Sequence, residues 1–268
     1  MPHGIVQPKM QKTGKIDMVP IFVINLDKSK ARMEHMAAAL NAQNLSFTRI
    51  PAVDGRNLDE DMFRSIVDQA RSVTNFIRPE LGCFLSHRLA WEKAAEQSSE
   101  WSLVLEDDVF FADDFAHFAT SLDWLPDEEG IVRLETSTNP VLLKTMKTVG
   151  KRKLCKVNST TYCAGAYLIH RECARKLVKA GPADWHTADG FLFCLEESRI
   201  ARSLKIFQIV PAPVVQAANA GNKLHEKFTS NIGEWNLRDA NMKKPFLEDL
   251  MLKMRKALLN YKRIPYEK

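Results

Sequence analysis

From residue 20 onward, short apolar runs alternate with amphipathic stretches. Pro20 to Leu26 (PIFVINL) is apolar and rich in β-branched residues, which predicts a buried strand. Residues 28–43 put Met33, Met36, Ala37 and Leu40 on one helical face, and residues 46–51 predict a second strand. AVDGRN, residues 52–57, is turn chemistry. Pro79 suits the first position of a helix that runs to about Gln97, with Leu81, Phe84, Leu85 and Leu89 as its apolar stripe. WSLVL (101–105) and IVRLE (131–135) predict strands, and residues 113–122 a short helix between them. Residues 142–149 and 153–157 predict a hairpin around Gly150. A strand over 162–170, a helix over 171–179, a loop and helix over 185–197 and a strand over 206–210 follow. Strands alternating with helices predict an α/β domain with a mixed, mostly parallel central sheet flanked by helices.

The length, 268 residues, allows one large α/β domain or two small ones. No internal repeat or low-complexity linker divides the chain, so one domain is expected over 19–242. A polar segment, 1–18, precedes it and a basic tail, 243–268, follows it. Apolar residues at 45% and charged residues at 26% exclude collagen-like and disordered classes. No run of 18 apolar residues exists to span a membrane, and the lysines near the start have no apolar core behind them. The five cysteines are odd in number and form no C-x-x-C pair. That argues against a disulfide scaffold or a structural zinc site and fits a reducing, cytoplasmic setting.

The net charge of +5 sits in the tail. Residues 243–268 hold eight basic and three acidic side chains, whereas 30 of each lie before them. The neutral body argues against a nucleic-acid binder. Phe246, Leu247, Leu250, Met251, Met254, Leu258 and Leu259 recur at helical spacing, so the tail predicts a basic amphipathic helix. Two readings stand: the helix packs on its own domain, or it lies on the anionic inner face of the cytoplasmic membrane.

The most informative chemistry is VLEDDV, residues 104–109. Three adjacent carboxylates at the end of an apolar strand repel one another, and a cation would relieve them. Ligands of open α/β sheets bind beyond the carboxyl ends of strands, and oxygen ligands point to Mg²⁺ or Mn²⁺. The competing reading is a polar turn in which Asp107 or Asp108 caps the next helix. Ser86 and His87 are adjacent on a helix and cannot pair as nucleophile and base. Cys83 and Cys163 read as small core residues, and His186 and His225 as either metal ligands or structural histidines. There is no P-loop and no glycine-rich dinucleotide motif, so phosphates fall to metal and to Arg or Lys.

Taken together, FVINLDKSKARMEHM, AVDGRNL, ELGCFLSHRLAWEKA, LVLEDDV, VRLE and YCAGAYLIHRECARKLV, in this order, resemble glycosyltransferase family 25, the lipooligosaccharide biosynthesis transferases that include bacterial β-galactosyltransferases. The likeness covers most of residues 20–232. It implies a GT-A-like fold, a UDP-sugar donor, a lipopolysaccharide or lipooligosaccharide acceptor, inversion at the anomeric carbon and a Mn²⁺ or Mg²⁺ cofactor. Carried over, Asp108 binds the metal directly, and Glu106 either holds it through water or lies near the ribose. Glu106 replaces the first Asp of a strict Asp-x-Asp form. Asn25, Arg32, Asp54, Gly55, Ser86, His87, Glu106 and Asp107 fall in the donor-binding motifs. Asp189, with Asp184 as rival, matches an acidic residue before a short helix, and Gln216 matches the family's Gln.

The chemistry implied is a single in-line displacement by an acceptor hydroxyl. It needs a carboxylate base distinct from the metal ligands. Asp189 is the candidate; its alternative role is an N-cap of the following helix. Glu135, Tyr167 and Gln216 are the candidates on the acceptor side; Glu135 is either a sugar ligand or the buried partner of Arg133 or Arg152. Tyr167 either stacks on a sugar or belongs to the core, and Arg32 and Arg78 either bind nucleotide or are solvated. Two rival functions remain: a metal-dependent nucleotide-sugar hydrolase or nucleotidyltransferase, and a non-catalytic carbohydrate- or membrane-binding member of the same fold.

Overall fold

The computed structural model describes residues 19–70, 76–220 and 261–268. In chain order the elements are β1 (Ile21–Asn25), α1 (Lys30–Asn41), β2 (Thr48–Pro51), α2 (Glu60–Gln69), α3 (Arg78–Glu96), β3 (Trp101–Glu106), β4 (Val109–Phe111), α4 (Phe115–Thr120), β5 (Ile131–Arg133), β6 (Ser137–Val141), β7 (Leu143–Val149), β8 (Arg152–Val157), β9 (Ala166–His170), α5 (Arg171–Lys179), α6 (Ala188–Phe193), α7 (Arg199–Arg202), β10 (Ile206–Val210), β11 (Val214–Gln216) and β12 (Lys262–Ile264).

Eight strands form one sheet in the order β2-β1-β3-β9-β5-β10-β8-β7. Side chains alternate across it because the strand repeat is two residues. Val23, Leu103, Leu105 and Leu168 point to one face, against Met36 and Leu40 of α1 and Phe115 and Phe118 of α4. Phe22, Ile24, Val104 and Ile169 point to the other, against Phe84 and Trp91 of α3, Leu177 of α5 and Phe191 of α6. Each large apolar side chain buried in these layers contributes about 1.5–3 kcal/mol.

The expected mixed, mostly parallel sheet is observed: six of its eight strands run in one direction, and β9 and β8 run against them. Three pairings are parallel and four antiparallel. The antiparallel pairings come from β9, which runs against both β3 and β5, and from β8, which forms a hairpin with β7 and also runs against β10. Gly150 turns that hairpin at φ +55, a left-handed conformation that favours glycine.

Two short pairings shape the functional end. β4 pairs with β11, setting Gln216 opposite Val109. β12 pairs with β6, and Lys262 lies opposite Val141. A tail helix reaching Lys268 is therefore corrected: Lys262–Ile264 is extended. The expected segment 1–18, and residues 243–260 of the expected helix, lie outside the described residues. Asp107 and Asp108 do not cap a helix either, since α4 begins after Asp114. Among the described residues, no helix is long and apolar enough to cross a membrane. All five cysteines are free thiols.

Candidate active site

β1 and β3 lie side by side in parallel and end at Asn25 and Glu106. An open cleft begins there. Its walls come from these strand ends, the turn at Asp54 and Gly55, the first turns of α3 with Cys83, Ser86 and His87, and Gln216 from β11.

Of the three adjacent carboxylates, Asp107 is held by Asn25 and Arg32, whereas Glu106 and Asp108 share Gln216. Asp107 accepts from Asn25 Nδ2 at 2.7 Å and from Arg32 Nη1 at 2.9 Å. Burial still raises its carboxyl, with the Arg32 charge and the Asn25 hydrogen bond opposing. Glu106 turns Oε1 to His87 Nε2 at 3.0 Å and Oε2 to Gln216 Nε2 at 2.7 Å. Asp108 Oδ1 lies 3.5 Å from that same Gln216 nitrogen. Burial, followed by repulsion from Glu106, pushes the Asp108 carboxyl up to about 7. Arg32, 3.9 Å from Asp108, is already bonded to Asp107.

That geometry fits a divalent cation. Glu106 and Asp108 offer carboxylate oxygens around one side-chain amide, and a cation there offsets their repulsion. Asp107 is tied into the Asn25–Arg32 contact and is not one of this pair. A second set of candidate ligand atoms, from Cys83, His87 and Glu106, lies within 4.8 Å of one another. Burial raises the Cys83 thiol well above its usual range, which disfavours the thiolate that a metal needs.

Close backbone packing builds the opposite wall. A Cβ on Gly82 would stand 2.5 Å from Gly55 N and 2.7 Å from Val53 O, so the turn rests directly on α3. Ser86 clips the two together: its Oγ accepts from Val53 N at 2.9 Å and donates to Gly82 O at 2.6 Å. At the mouth, Asp54 pairs with Lys28 at 2.6 Å and Arg56 at 2.8 Å. Arg78 bonds Leu58 O and Glu60 instead of lining the cleft.

Asp189 is the second residue of α6, and Thr187 is the N-cap. Its Oδ1 accepts from Thr187 Oγ1 and Gly190 N, both at 2.8 Å, and its Oδ2 from Cys163 N at 3.2 Å. Cys163 has φ +71, a strained backbone for a non-glycine residue. Arg133 helps to hold it, donating to Tyr162 O at 2.6 Å and Cys163 O at 3.3 Å. Asp189 is not among the residues lining the cleft. Its rival Asp184 is ion-paired with Arg199 at 2.6 Å.

Two expected acceptor contacts are corrected. Glu135 is 1% exposed; its Oε1 accepts from Gly165 N at 2.7 Å and stands 4.0 Å from Arg133. It is the buried neighbour of Arg133, and burial holds its carboxyl well above the usual range. Tyr167 is fully buried, with its hydroxyl 2.8 Å from Trp91 Nε1 and 2.9 Å from His87 Nδ1. It belongs to the core. His186 contacts Glu197 at 3.0 Å, and His225 lies outside the described residues. Sequence reasoning missed the buried contact of Trp91 and His87 with Tyr167. Their i, i+4 spacing puts both on one face of α3 and was the available signal.

A sequence model of glycosyltransferase family 25 (LPS biosynthesis protein) matches residues 18–191, and the chain belongs to that family. Human procollagen galactosyltransferase 2 is 28% identical over 202 residues, which cover 66% of this chain and 32% of that protein. The chain thus spans about a third of that relative's length. The lacto-N-neotetraose biosynthesis glycosyltransferase LgtE of Neisseria meningitidis serogroup B is 26% identical over 205 residues, covering 72% of each chain. A solved glycosyltransferase involved in glycosylation of the major capsid of PBCV-1 aligns over 78% of this chain and 97% of its own. It does so at 11% identity and a TM-score of 0.44, too distant a likeness to carry an argument.

Proposed function

We propose that this chain transfers a hexose, galactose first among the candidates, from a UDP-sugar to a hydroxyl of a lipooligosaccharide or related glycan, in one inverting displacement. The observation that carries this reading is the convergence of Glu106 and Asp108 on Gln216, with the Asp108 carboxyl pushed up to about 7. It supports a site for Mn²⁺ or Mg²⁺ held by Asp108 directly and by Glu106 beside it. A divalent cation bound there supplies charge stabilisation to a leaving diphosphate. The name of the procollagen galactosyltransferase supports galactose, and that of LgtE, a lacto-N-neotetraose biosynthesis glycosyltransferase, supports a glycan product.

The chain's own groups do the rest. Asn25 and Arg32 fix Asp107 at the strand end and line the donor cleft with Asp54, Gly55 and Ser86. Asp189 takes the proton of the attacking hydroxyl, its carboxylate oriented by Thr187, Gly190 and Cys163. The apolar and basic run at 243–260 supports attachment to an anionic membrane that carries the acceptor.

The test is release of UDP from UDP-galactose, with and without Mn²⁺ and a lactosyl or lipooligosaccharide acceptor. The expected result is release that needs both. Equal release without acceptor would make the protein a hydrolase, and no release with any donor would make it a binding member of the family.

A further inference from the structure

We propose that Trp91, Tyr167 and His87 form a buried chain of directed hydrogen bonds in which His87 acts as a positioning residue for Glu106. The inference rests on the reading of Glu106 as a carboxylate of the donor site and goes beyond it, because no motif assigns a role to Trp91 or Tyr167.

The direction of the chain follows from the donor inventory. The indole Nε1–H of Trp91 can only donate, so Tyr167 Oη accepts at 2.8 Å. Tyr167 is fully buried, and its own O–H needs an acceptor. Leaving a buried hydroxyl proton without an acceptor costs its full desolvation. The other group at that oxygen is His87 Nδ1, at 2.9 Å. Nδ1 therefore carries the lone pair and the ring proton sits on Nε2. Nε2–H then donates to Glu106 Oε1 at 3.0 Å.

This arrangement does two things for Glu106. It holds Oε1 toward α3, which leaves Oε2 on the side of Gln216 and Asp108. It also uses up Nε2 as a donor, so His87 is not available as a metal ligand in the cluster with Cys83. The helix supplies the rigidity: His87 and Trp91 lie one turn apart on α3, and Tyr167 lies on β9, antiparallel to the strand that ends in Glu106.

The test is a long-range proton–nitrogen correlation spectrum of the full chain labelled with ¹⁵N-histidine. The His87 ring is identified by its loss in His87→Gln. The expected wild-type ring has Nε2 protonated and Nδ1 unprotonated. In Tyr167→Phe the ring should become a mixture of tautomers. Calorimetric titration with Mn²⁺ alone should then show affinity weakened by roughly 10- to 100-fold, the range for lost contacts behind a metal ligand. A wild-type ring protonated at Nδ1 overturns the proposal. So does a Tyr167→Phe protein that keeps a single tautomer and wild-type Mn²⁺ affinity. The wild-type spectrum decides the direction of the chain even if Tyr167→Phe does not fold. A wild type with the expected tautomer that binds no Mn²⁺ contradicts the cation site and supports the hydrogen-bond chain.

Discussion

Gln216 Nε2 lies 2.7 Å from Glu106 Oε2, although 110 residues separate the two in sequence. The contact depends on the pairing of β11 with β4 and on a small residue beside it. A Cβ on Gly165 would stand 2.8 Å from both Gln216 Cγ and Glu135 Oε2. Gly165→Ala is therefore expected to push Gln216 off the carboxylates. It should lower stability by about 1–3 kcal/mol, the usual effect of overpacking. Chemical denaturation measures the loss, and a wild-type midpoint in Gly165→Ala would contradict the packing described.

Asp107 and Asp108 are adjacent and are expected to respond oppositely to neutralisation. Burial raises the Asp107 carboxyl as well, but both of its oxygens accept, from Asn25 Nδ2 and Arg32 Nη1, and Asp107→Asn sets an amide donor against one of these donors, so it should lower the melting temperature of the metal-free protein. Asp108→Asn removes a carboxylate that burial and Glu106 disfavour, and should raise it. Thermal unfolding in chelator compares the two. Melting temperatures moving in the same direction would show that the three acids act as one undivided cluster.

Asp189→Asn changes little in shape but removes a proton acceptor. The expected outcome is kcat lower by roughly 10²- to 10⁴-fold with KM for the donor near wild type. Steady-state kinetics at saturating acceptor measures both. Near-normal turnover would move the base elsewhere.

Far from the cleft, Asp114 carries a pH dependence. Burial raises its carboxyl, but the Arg152 hydrogen bonds and charge outweigh that, and the net shift is downward. A lowered folded value means that the contribution is complete above the unfolded value, near 3.8, and disappears as pH falls through the folded one. Arg152 is fully buried and also donates to Pro211 O at 3.1 Å and Glu267 O at 2.9 Å, so the pair ties β8 to the chain end. Asp114→Asn should lose about 1–3 kcal/mol at neutral pH. The gap to wild type should close below pH 3.8 in denaturation curves recorded across pH.

The strands of the sheet core are legible in the sequence because they are short, uninterrupted apolar runs; Ile206–Val210 matches its expected bounds. Their direction is not legible, since an apolar run reads the same either way, and β9 shows it. The pairing that brings in Gln216 uses two strands of three residues, too short for any periodicity to register. On α3 the expected stripe included Leu89, which is exposed, while the buried face continues from Leu81 and Phe84 through His87 to Trp91. A polar ring inside an apolar stripe hides the pattern, and here that ring touches the candidate site. The acid motif itself is legible, but the division of its side chains between the Asn25–Arg32 contact and the shared Gln216 is set by tertiary contacts.

The most direct measurement is anomalous diffraction at the manganese edge from crystals soaked with Mn²⁺ and UDP-galactose. The account predicts one peak in contact with Asp108 and the diphosphate, next to Glu106, and no peak in Asp108→Asn crystals. A peak on Cys83 and His87 instead, or bound nucleotide with no peak near Asp108, would contradict it.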